Sequence, residues 1–473
     1  MHSPYPRLLA LSLAMLLPSL GTSIANVALP DIAAAFGASQ PDVQWIVIAY
    51  LVAVTALIVT AGRLGDLYGR ARMLKLGTLL FAFASVGGVW APSLGALIAL
   101  RAVQGAGAAL MMALTLASVG DLVAKERTGR AMGLLATVSA LGTALGPSVG
   151  GLLVGRWGWP AVFAAMALAA ILAYNALQVF VPPQTRSVAR ARLDLGGMAL
   201  LSAALALAAF LVSKGAGLPS GVASGLVLAV LALLGAFVAV ERRAVAPLVN
   251  LSLLRSPALW PGLVQMALVS MIVMTTLVVG PFYLTGGLGL SAAATGLVMS
   301  IGPGVVALSG FPAGQLVDRA GATPVTLAGL GAMVLGSLAM SGLPALLGVG
   351  GYAVSLVVLT GGYALFQAAN ATAVLGRVAA TDRGTASGLL ALARNAGLIA
   401  GASAMGTLYA TGVRGVASWG WAGGADTGLA VVFLVATLAA AAALVLAAAT
   451  RPSARAGHSV LDESGDNTAQ SKY

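Results

Sequence analysis

Residues 62–70 read GRLGDLYGR, and a looser copy, GQLVDRAG, begins at Gly314. Each copy is a short charged segment that follows a long run of apolar residues. Only 8% of the chain is charged, so a charged segment that recurs after 252 residues stands out. The repeat predicts a chain built from two related parts, with one copy at the same place in each part.

The composition indicates a membrane protein. Of 473 residues, 59% are hydrophobic and 8% are charged, whereas a soluble domain carries about 25% charged residues. Such a chain is expected to fold in lipid, because a soluble core cannot absorb this much apolar surface. The net charge of +12 is scattered, which argues against a nucleic-acid partner. The absence of cysteine excludes disulfides and thiolate-ligated metals, and we expect neither a metal nor a cofactor.

Apolar runs give the number of predicted helices. A helix needs about 20 mostly apolar residues to cross a bilayer, and its backbone groups must be paired internally. The fourteen runs cover residues 8–30, 43–62, 73–92, 97–120, 131–154, 159–181, 195–213, 219–240, 259–284, 290–312, 323–342, 347–369, 384–409 and 428–449. The sequence therefore predicts an all-α integral membrane protein with fourteen transmembrane helices.

The distribution of basic residues supports this count, because Lys and Arg accumulate in cytoplasmic loops. With the N-terminus inside, most of the 25 Lys and Arg residues fall on the cytoplasmic side. Arg156, Lys214 and Arg414 fall outside, and Arg101 and Arg394 fall within spans. We therefore expect both termini in the cytoplasm and interpret the apolar stretch from Leu8 as an uncleaved first span.

A second internal match divides the chain into halves. GLLATVSALGTALGPSVGG at 133–151 is similar to GLLALARNAGLIAGASAMG at 388–406. The matching glycines are Gly142/Gly397, Gly146/Gly401 and Gly151/Gly406. Parallel six-helix halves are one architecture of secondary transporters. The predicted parts are an N-terminal six-helix bundle (1–184), a cytoplasmic linker with two extra transmembrane helices (185–256), a C-terminal six-helix bundle (257–450) and a disordered cytoplasmic tail (451–473).

These stretches together resemble the major facilitator superfamily, specifically its fourteen-span drug:proton antiporter branch. GRLGDLYGRARML (62–74) resembles the signature loop between the second and third helices. RAVQGAGAA (101–109) resembles the fourth-helix motif, and SIANVALPDI (23–32) resembles the first helix of the branch. GTALGPSVGG (142–151) resembles the fifth-helix motif associated with antiporters. The resemblance implies two six-helix bundles plus two inserted helices.

The resemblance also implies roles for particular residues. The signature loop would latch the cytoplasmic ends of the halves; the residues are Gly62, Asp66, Gly69, Arg70 and, in the second copy, Asp318. The fifth-helix motif would seal against leak; it comprises Gly142, Gly146, Pro147, Gly150 and Gly151. The alternatives are a basic loop that only sets topology and a helix face of small residues that only packs closely.

Proton coupling has weaker candidates. The resemblance gives Arg101 a role in it, and the alternative is an arginine that snorkels to a nearby membrane face. Gly21 stands where the branch commonly has an acidic residue. Proton-driven transporters generally carry a membrane-embedded carboxylate or histidine, and none lies near a span centre here. Asp31 is the preferred carrier, although an Asp in this position is often only a helix-end residue.

Polar, Met and aromatic side chains within the spans are candidates for a ligand chamber, because such faces suit varied apolar ligands. The candidates are Asn26, Tyr50, Gln104, Met112, Gln265, Gln367, Asn370 and Arg394. The alternative for each is a core position. Arg394 could bind an anionic group or satisfy carbonyls exposed by neighbouring glycines.

The sequence thus predicts a secondary active transporter that exports small, largely apolar or amphipathic compounds by proton antiport and alternating access. The expected partners are a small-molecule substrate, protons and the lipid bilayer of a cell inner membrane, and the expected state is monomeric. One alternative is an exporter or facilitator of a neutral or anionic metabolite, favoured by two intramembrane arginines. A membrane enzyme or lipid-handling scaffold is least favoured, because no cluster of catalytic groups is visible.

Overall fold

The computed structural model describes residues 5–122, 128–181, 195–214, 218–244, 259–378, 383–415 and 423–450. The helices of the first part are α1 (Tyr5–Val27), α2 (Leu29–Phe36), α3 (Gln40–Val43), α4 (Trp45–Tyr68), α5 (Arg70–Val89), α6 (Leu94–Leu122), α7 (Thr128–Trp157) and α8 (Pro160–Phe180). The remaining helices are α9 (Leu195–Lys214), α10 (Ser220–Arg243), α11 (Trp260–Phe282), α12 (Ala292–Ala320), α13 (Ala322–Gly376), α14 (Arg383–Ala400), α15 (Gly406–Arg414) and α16 (Ala425–Ala449). Short π-helical segments cover Tyr283–Gly287 and Gly401–Met405. The predicted tail at 451–473 lies outside the described residues.

The described residues form an all-helical membrane protein. They contain 11 helical segments that are long and apolar enough to cross a membrane, and a shorter apolar helix at Gly196–Val212. Helix α13 has 55 residues, but Gly348 within it has φ 56° and ψ −133°. A right-handed helix cannot continue through that conformation, which glycine adopts without steric cost. Helix α13 therefore consists of two helices that meet at Gly348.

The end of the first predicted span was wrong. Helix α1 ends at Val27, and Pro30 and Asp31 belong to the separate helix α2. A helix that continued through Pro30 would lose a backbone hydrogen bond, and the proline ring would clash with the preceding turn. Asp31 therefore lies on a short helix beyond the first span.

The extent of the two predicted charged loops was also wrong. Helix α4 continues to Tyr68 and α5 begins at Arg70, so Gly69 alone joins them, with φ 94°. Helix α12 continues to Ala320 and α13 begins at Ala322, and Gly321 joins them with φ 84°. Positive φ favours glycine. The repeated sequence therefore encodes the same one-residue turn twice, at the ends of two long helices.

The helices pack as two groups with a pair between them. Helices α1 and α4–α8 contact one another, as do α11–α16, and α9 pairs with α10. The two groups meet along α7 and α12 and along α4 and α14. We call the end of the molecule where α1 finishes and α4 and α12 begin the distal end. The opposite end, which carries Gly69 and Gly321, is the proximal end.

Helix α9 lies across the join between the groups. It packs against α4 on one side and against α14, α15 and the segment Gly401–Met405 on the other. The rings of Trp45 on α4 and Phe210 on α9 lie 6.3 Å apart between centroids. Helix α10, by contrast, has few buried residues, which is expected of a helix that faces lipid.

Candidate functional site

Among the side chains of the first group that the structure describes, Arg101 is the most deeply buried charge, with 1% of its surface exposed. Its Nε donates a hydrogen bond to the Ile46 carbonyl at 3.0 Å, and its Nη2 donates to the Gly21 carbonyl at 3.0 Å. Its Nη1 donates to Gln104 Oε1. The guanidinium carbon lies 4.3 Å from the centroid of the Tyr50 ring, a cation–π contact. The arginine is therefore held by neutral groups and does not snorkel to a membrane face.

The partners of Arg101 extend the network across four helices. Gln104 Nε2 on α6 donates to Ser85 Oγ on α5 at 2.7 Å, and the Tyr50 hydroxyl on α4 donates to the Pro18 carbonyl on α1 at 2.8 Å. Tyr50 and Gln104 were predicted to contact a ligand, and the structure places both side chains in this buried network. Asn26 is also fully buried, and its Nδ2 donates to the Thr22 carbonyl at 3.0 Å.

Gly21, which stands where an acidic residue was expected, leaves little room for a larger side chain beside Arg101. Its carbonyl accepts a hydrogen bond from Arg101. A Cβ at position 21 would lie 3.2 Å from the Tyr50 hydroxyl and 3.2 Å from Phe81 Cζ. The rings of Tyr50 and Phe81 thus occupy the space where a larger side chain would begin.

The residues of the fifth-helix motif form two faces of α7. One face packs on α1, where a Cβ at Gly142 would lie 2.7 Å from the Leu16 carbonyl oxygen. Gly146 and Gly150 continue this face along Ser23 and Ile24. The small residues let the two helix backbones approach closely.

The other face of α7 packs across the join on α12. A Cβ at Gly151 would lie 2.9 Å from Gly296 Cα, and a Cβ at Gly296 would overlap the Pro147 carbonyl oxygen. The hydroxyls of Ser148 and Ser300 share a hydrogen bond beside these glycines. The groups therefore pack backbone to backbone at the distal end.

The matching glycines of the second half repeat this pattern. A Cβ at Gly401 would lie 2.5 Å from the Met271 carbonyl oxygen on α11, and a Cβ at Gly397 would overlap the Ala267 carbonyl. A Cβ at Gly406 would overlap the amide of Gln44, which precedes α4 in the other group. In each half, two glycines thus pack on the half's own first helix and the third packs across the join.

Two further ligand candidates line one cavity. Gln265 on α11 and Asn370 on α13 border an open cavity with an empty volume of about 420 Å³ at the proximal end. Thr323, Thr326 and Arg377 also line it. Asn370 Nδ2 donates to the Gly262 carbonyl at 3.1 Å. The cavity lies within the second group of helices.

The remaining ligand candidates are Met112, Gln367 and Arg394, which are half-buried. Arg394 lies on α14, a helix that packs against α4 of the other group. Its Nε is buried and has no hydrogen-bond partner in the structure.

Residues 11–402 match the model of the Major Facilitator Superfamily. The chain belongs to this superfamily. It is therefore a multi-pass membrane transporter and not an enzyme.

Relatives within the superfamily include drug-efflux proteins. The chain is 31% identical over 414 residues to multidrug resistance protein Stp of Mycobacterium tuberculosis, covering 85% of this chain and 75% of that protein. It is 30% identical over 422 residues to the tetracenomycin C resistance and export protein of Streptomyces glaucescens, covering 89% of this chain and 78% of that protein. A bacterial homolog of the lysosomal transporter Spinster shares the fold, with a TM-score of 0.70, 16% identity, and coverage of 94% of this chain and 98% of that chain.

The residues predicted to form the latch lie at the proximal end of the molecule. Arg70 Nη1 donates to the Ala117 carbonyl on α6 at 3.2 Å, near the end of that helix, where carbonyls favour a cation. A Cβ at Gly62 would meet open space, and Asp318 is exposed. The side chain of Asp66 lies outside the described part of the structure.

Three acidic residues lie near helix ends, outside the Arg101 network. Asp31 is half-buried, and burial raises the pKa of its carboxyl, while a backbone hydrogen bond offsets part of the rise. The sequence interpretation missed Glu241, which is 3% exposed at the end of α10, and Asp426, which accepts a hydrogen bond from Tyr283 at 2.8 Å. Asp426 lies in the first turn of α16, where an acidic residue is ordinary and gives no signal, and Glu241 precedes two arginines at the end of α10.

Proposed function

We propose that the chain exports small, largely apolar or amphipathic compounds by proton antiport and alternating access, as in the fourteen-span drug:proton antiporter branch. The observation that carries this proposal is the contact of Gly151 with Gly296 between the two groups of helices. A contact made of backbone and glycine can separate and re-form without exposing buried charge. The names of two relatives at about 30% identity support drug-like substrates.

Proton antiport can be tested in everted membrane vesicles with a preset pH gradient. Ethidium and tetracenomycin C are suitable probes, because the first is an organic cation and the second is named in a relative. Addition of a transported compound should collapse the gradient in vesicles that contain the chain and leave vesicles without it unchanged. Transport of both compounds without proton movement would contradict antiport.

We further propose fourteen spans in three parts. Helices α7 and α9 count as spans, and α13 counts as two because of Gly348. The bundles are 1–184 and 257–450, with α9 and α10 inserted between them within 185–256. The proximal end faces the cytoplasm, together with both termini, in a monomer of the inner membrane. The concentration of basic residues on that side supports this orientation.

Cysteine labelling will test this topology, since the chain has no cysteine of its own. We expect Ser39→Cys and Pro219→Cys to react with a membrane-impermeant maleimide in intact cells, because both positions are exposed at predicted outer loops. Arg319→Cys is exposed at the proximal end and should react only after permeabilisation. Labelling of Pro219→Cys only after permeabilisation would show that α9 and α10 do not both span the membrane.

The latch is proposed at the proximal end, formed by Gly62, Asp66, Gly69 and Arg70, with Asp318 in the second copy. The support is the bond from Arg70 to the Ala117 carbonyl, which ties the turn at Gly69 to the end of α6. The similar turn at Gly321 gives the second half a matching hinge position.

A second function, export of an organic anion, is favoured by Arg394. Its buried Nε has no hydrogen-bond partner, and a buried donor without an acceptor costs about 1–3 kcal/mol. The carboxylate or phosphate of a ligand would supply that acceptor.

Arg394→Gln separates the two functions. If Arg394 binds an anionic group, transport of fluorescein should fall by about tenfold, which corresponds to one lost charge-assisted bond, while ethidium transport is kept. Arg156→Gln removes an exposed positive charge and serves as the matched control. Equal transport of fluorescein by the Arg394→Gln variant and the parent would eliminate this function.

A further inference from the structure

A carboxylate and three tyrosines lie together at the distal end of the second group of helices. The Tyr283 hydroxyl donates to Asp426 Oδ1 at 2.8 Å, which joins the end of α11 to the first turn of α16. The Tyr283 ring stacks on Tyr352 of α13, with centroids 6.1 Å apart and planes at 17°. Tyr409 of α15 packs beside Gly428, where a Cβ would lie 3.0 Å from the ring. The rings are buried and Asp426 is exposed, so the carboxylate meets distal solution.

The tyrosine hydroxyls are unusual for a packed helix bundle. Tyr352 is 1% exposed, yet its hydroxyl has no hydrogen-bond partner in the structure. Leaving a buried hydroxyl unpaired costs about 1–3 kcal/mol, a penalty that phenylalanine would avoid. Tyr283 begins the π-helical segment that follows α11, and such segments are frequent at functional sites. The cluster thus combines a bonded hydroxyl with a second hydroxyl that has no acceptor in this conformation.

Few charged or titratable groups lie near Asp426 in the described structure. Among the described residues, Tyr352, Tyr409 and Arg414 are the charged or titratable groups at the distal ends of the helices around the pair, and Tyr363 lies further along α13. The Arg414 Nε donates to the Ala410 carbonyl at 3.3 Å. Two further carboxylates at this end are Asp31 on α2, which packs against α11, and Asp42 on α3, which packs against α15. Asp42 accepts a hydrogen bond from Ser39.

We propose that Asp426 is a distal proton-binding site that controls closure of the distal end. The ionised carboxylate accepts a charge-assisted hydrogen bond from Tyr283, which is stronger than a bond between neutral groups. A proton taken from distal solution onto a carboxylate oxygen removes that charge and weakens the link between α16 and α11. Helix α11 also packs on α1 and α2 of the first half. Protonation therefore favours the distally open state, with Tyr283 released toward the Tyr352 hydroxyl.

This proposal rests on alternating access and can fail separately from it. The test uses the full chain with Ser148→Cys, a position inside the contact between α7 and α12. Its labelling by a maleimide is measured in intact cells, relative to Pro219→Cys at an exposed position, so that the intrinsic pH dependence of the thiol cancels. We expect the relative rate to rise by about tenfold between about pH 7 and about pH 4. Asp426→Asn and Tyr283→Phe should each remove that rise, whereas Asp42→Asn should keep it.

The possible results distinguish failure of the Asp426 proton site from failure of alternating access. If labelling of the Ser148→Cys thiol responds to ethidium but its pH dependence is the same in Asp426→Asn, the proton site is wrong and alternating access stands. If Asp31→Asn removes the pH dependence and Asp426→Asn does not, the site lies on α2, which also overturns the proposal. If the Ser148→Cys thiol is never labelled under any condition, the distal end does not open and alternating access itself is contradicted.

Discussion

Arg101→Ala will abolish transport and lower thermal stability, the largest effect expected of any single substitution in the first half. Truncation leaves the Gly21 and Ile46 carbonyls and Gln104 Oε1 without their donor. Each orphaned buried group costs about 1–3 kcal/mol, and the lost side chain leaves a cavity. We therefore expect a loss of at least about 3 kcal/mol, measured as thermal unfolding of purified protein at matched scan rates.

Arg101→Lys separates a structural role from one in coupling. Lysine keeps the charge, but its ammonium cannot reproduce the planar fork that reaches three acceptors. A variant that is stable yet fails to move protons would assign Arg101 to coupling. A variant that is unstable and inactive would assign it to structure. Arg156→Ala is the control, because Arg156 is exposed and contacts only the Trp157 ring among the contacts described for it. A stable, fully active Arg101→Ala protein would contradict both roles.

Gly296→Val will hold the distal end open. The first carbon of the new side chain overlaps the Pro147 carbonyl oxygen, and backbone cannot move aside as a flexible side chain does. Overpacking of this kind costs about 1–3 kcal/mol, and the cost falls only on the closed state. Because an energy gap of about 1.4 kcal/mol is a tenfold population shift, transport should fall by about fivefold or more.

The matched control for Gly296→Val lies on the same helix. A Cβ at Gly304 meets no atom within 4 Å, so Gly304→Val should leave transport within about twofold of the parent. In the Gly296→Val background, Ser148→Cys should label from outside without added substrate. Full transport together with a thiol at position 148 that stays shielded would show that the α7–α12 contact does not need to open.

The sequence predicts an all-α membrane protein made of long apolar helices, because lipid leaves the backbone few alternatives. It predicts their ends less well. Hydropathy marks where hydrocarbon stops, whereas α4 and α12 continue through charged residues to Gly69 and Gly321. The repeat does predict that these two positions correspond, since glycine in a positive-φ turn is a local requirement. Pro30 is a local signal of the same kind, because it favours a new helix start after Val27 although the apolar run continues to Pro30.

The site was less predictable than the fold. Burial of Arg101 follows from its place within an apolar run, but its acceptors on other elements depend on how α1 and α4 pack. The pair Tyr283 and Asp426 is 143 residues apart in sequence. A tyrosine at the end of an apolar run and an aspartate in the first turn of a helix are both ordinary, so the sequence gives no sign that these two residues are in contact.

The placement of α9 makes the molecule lopsided within the plane of the bilayer. One flank of the join carries this additional helix against α4 and α14, and the other flank is the direct meeting of α7 with α12. An apolar compound that approaches the join from within the bilayer would therefore contact α9 on the first flank. On the second flank it would contact α7 and α12 directly, where glycine and serine residues of the two helices meet.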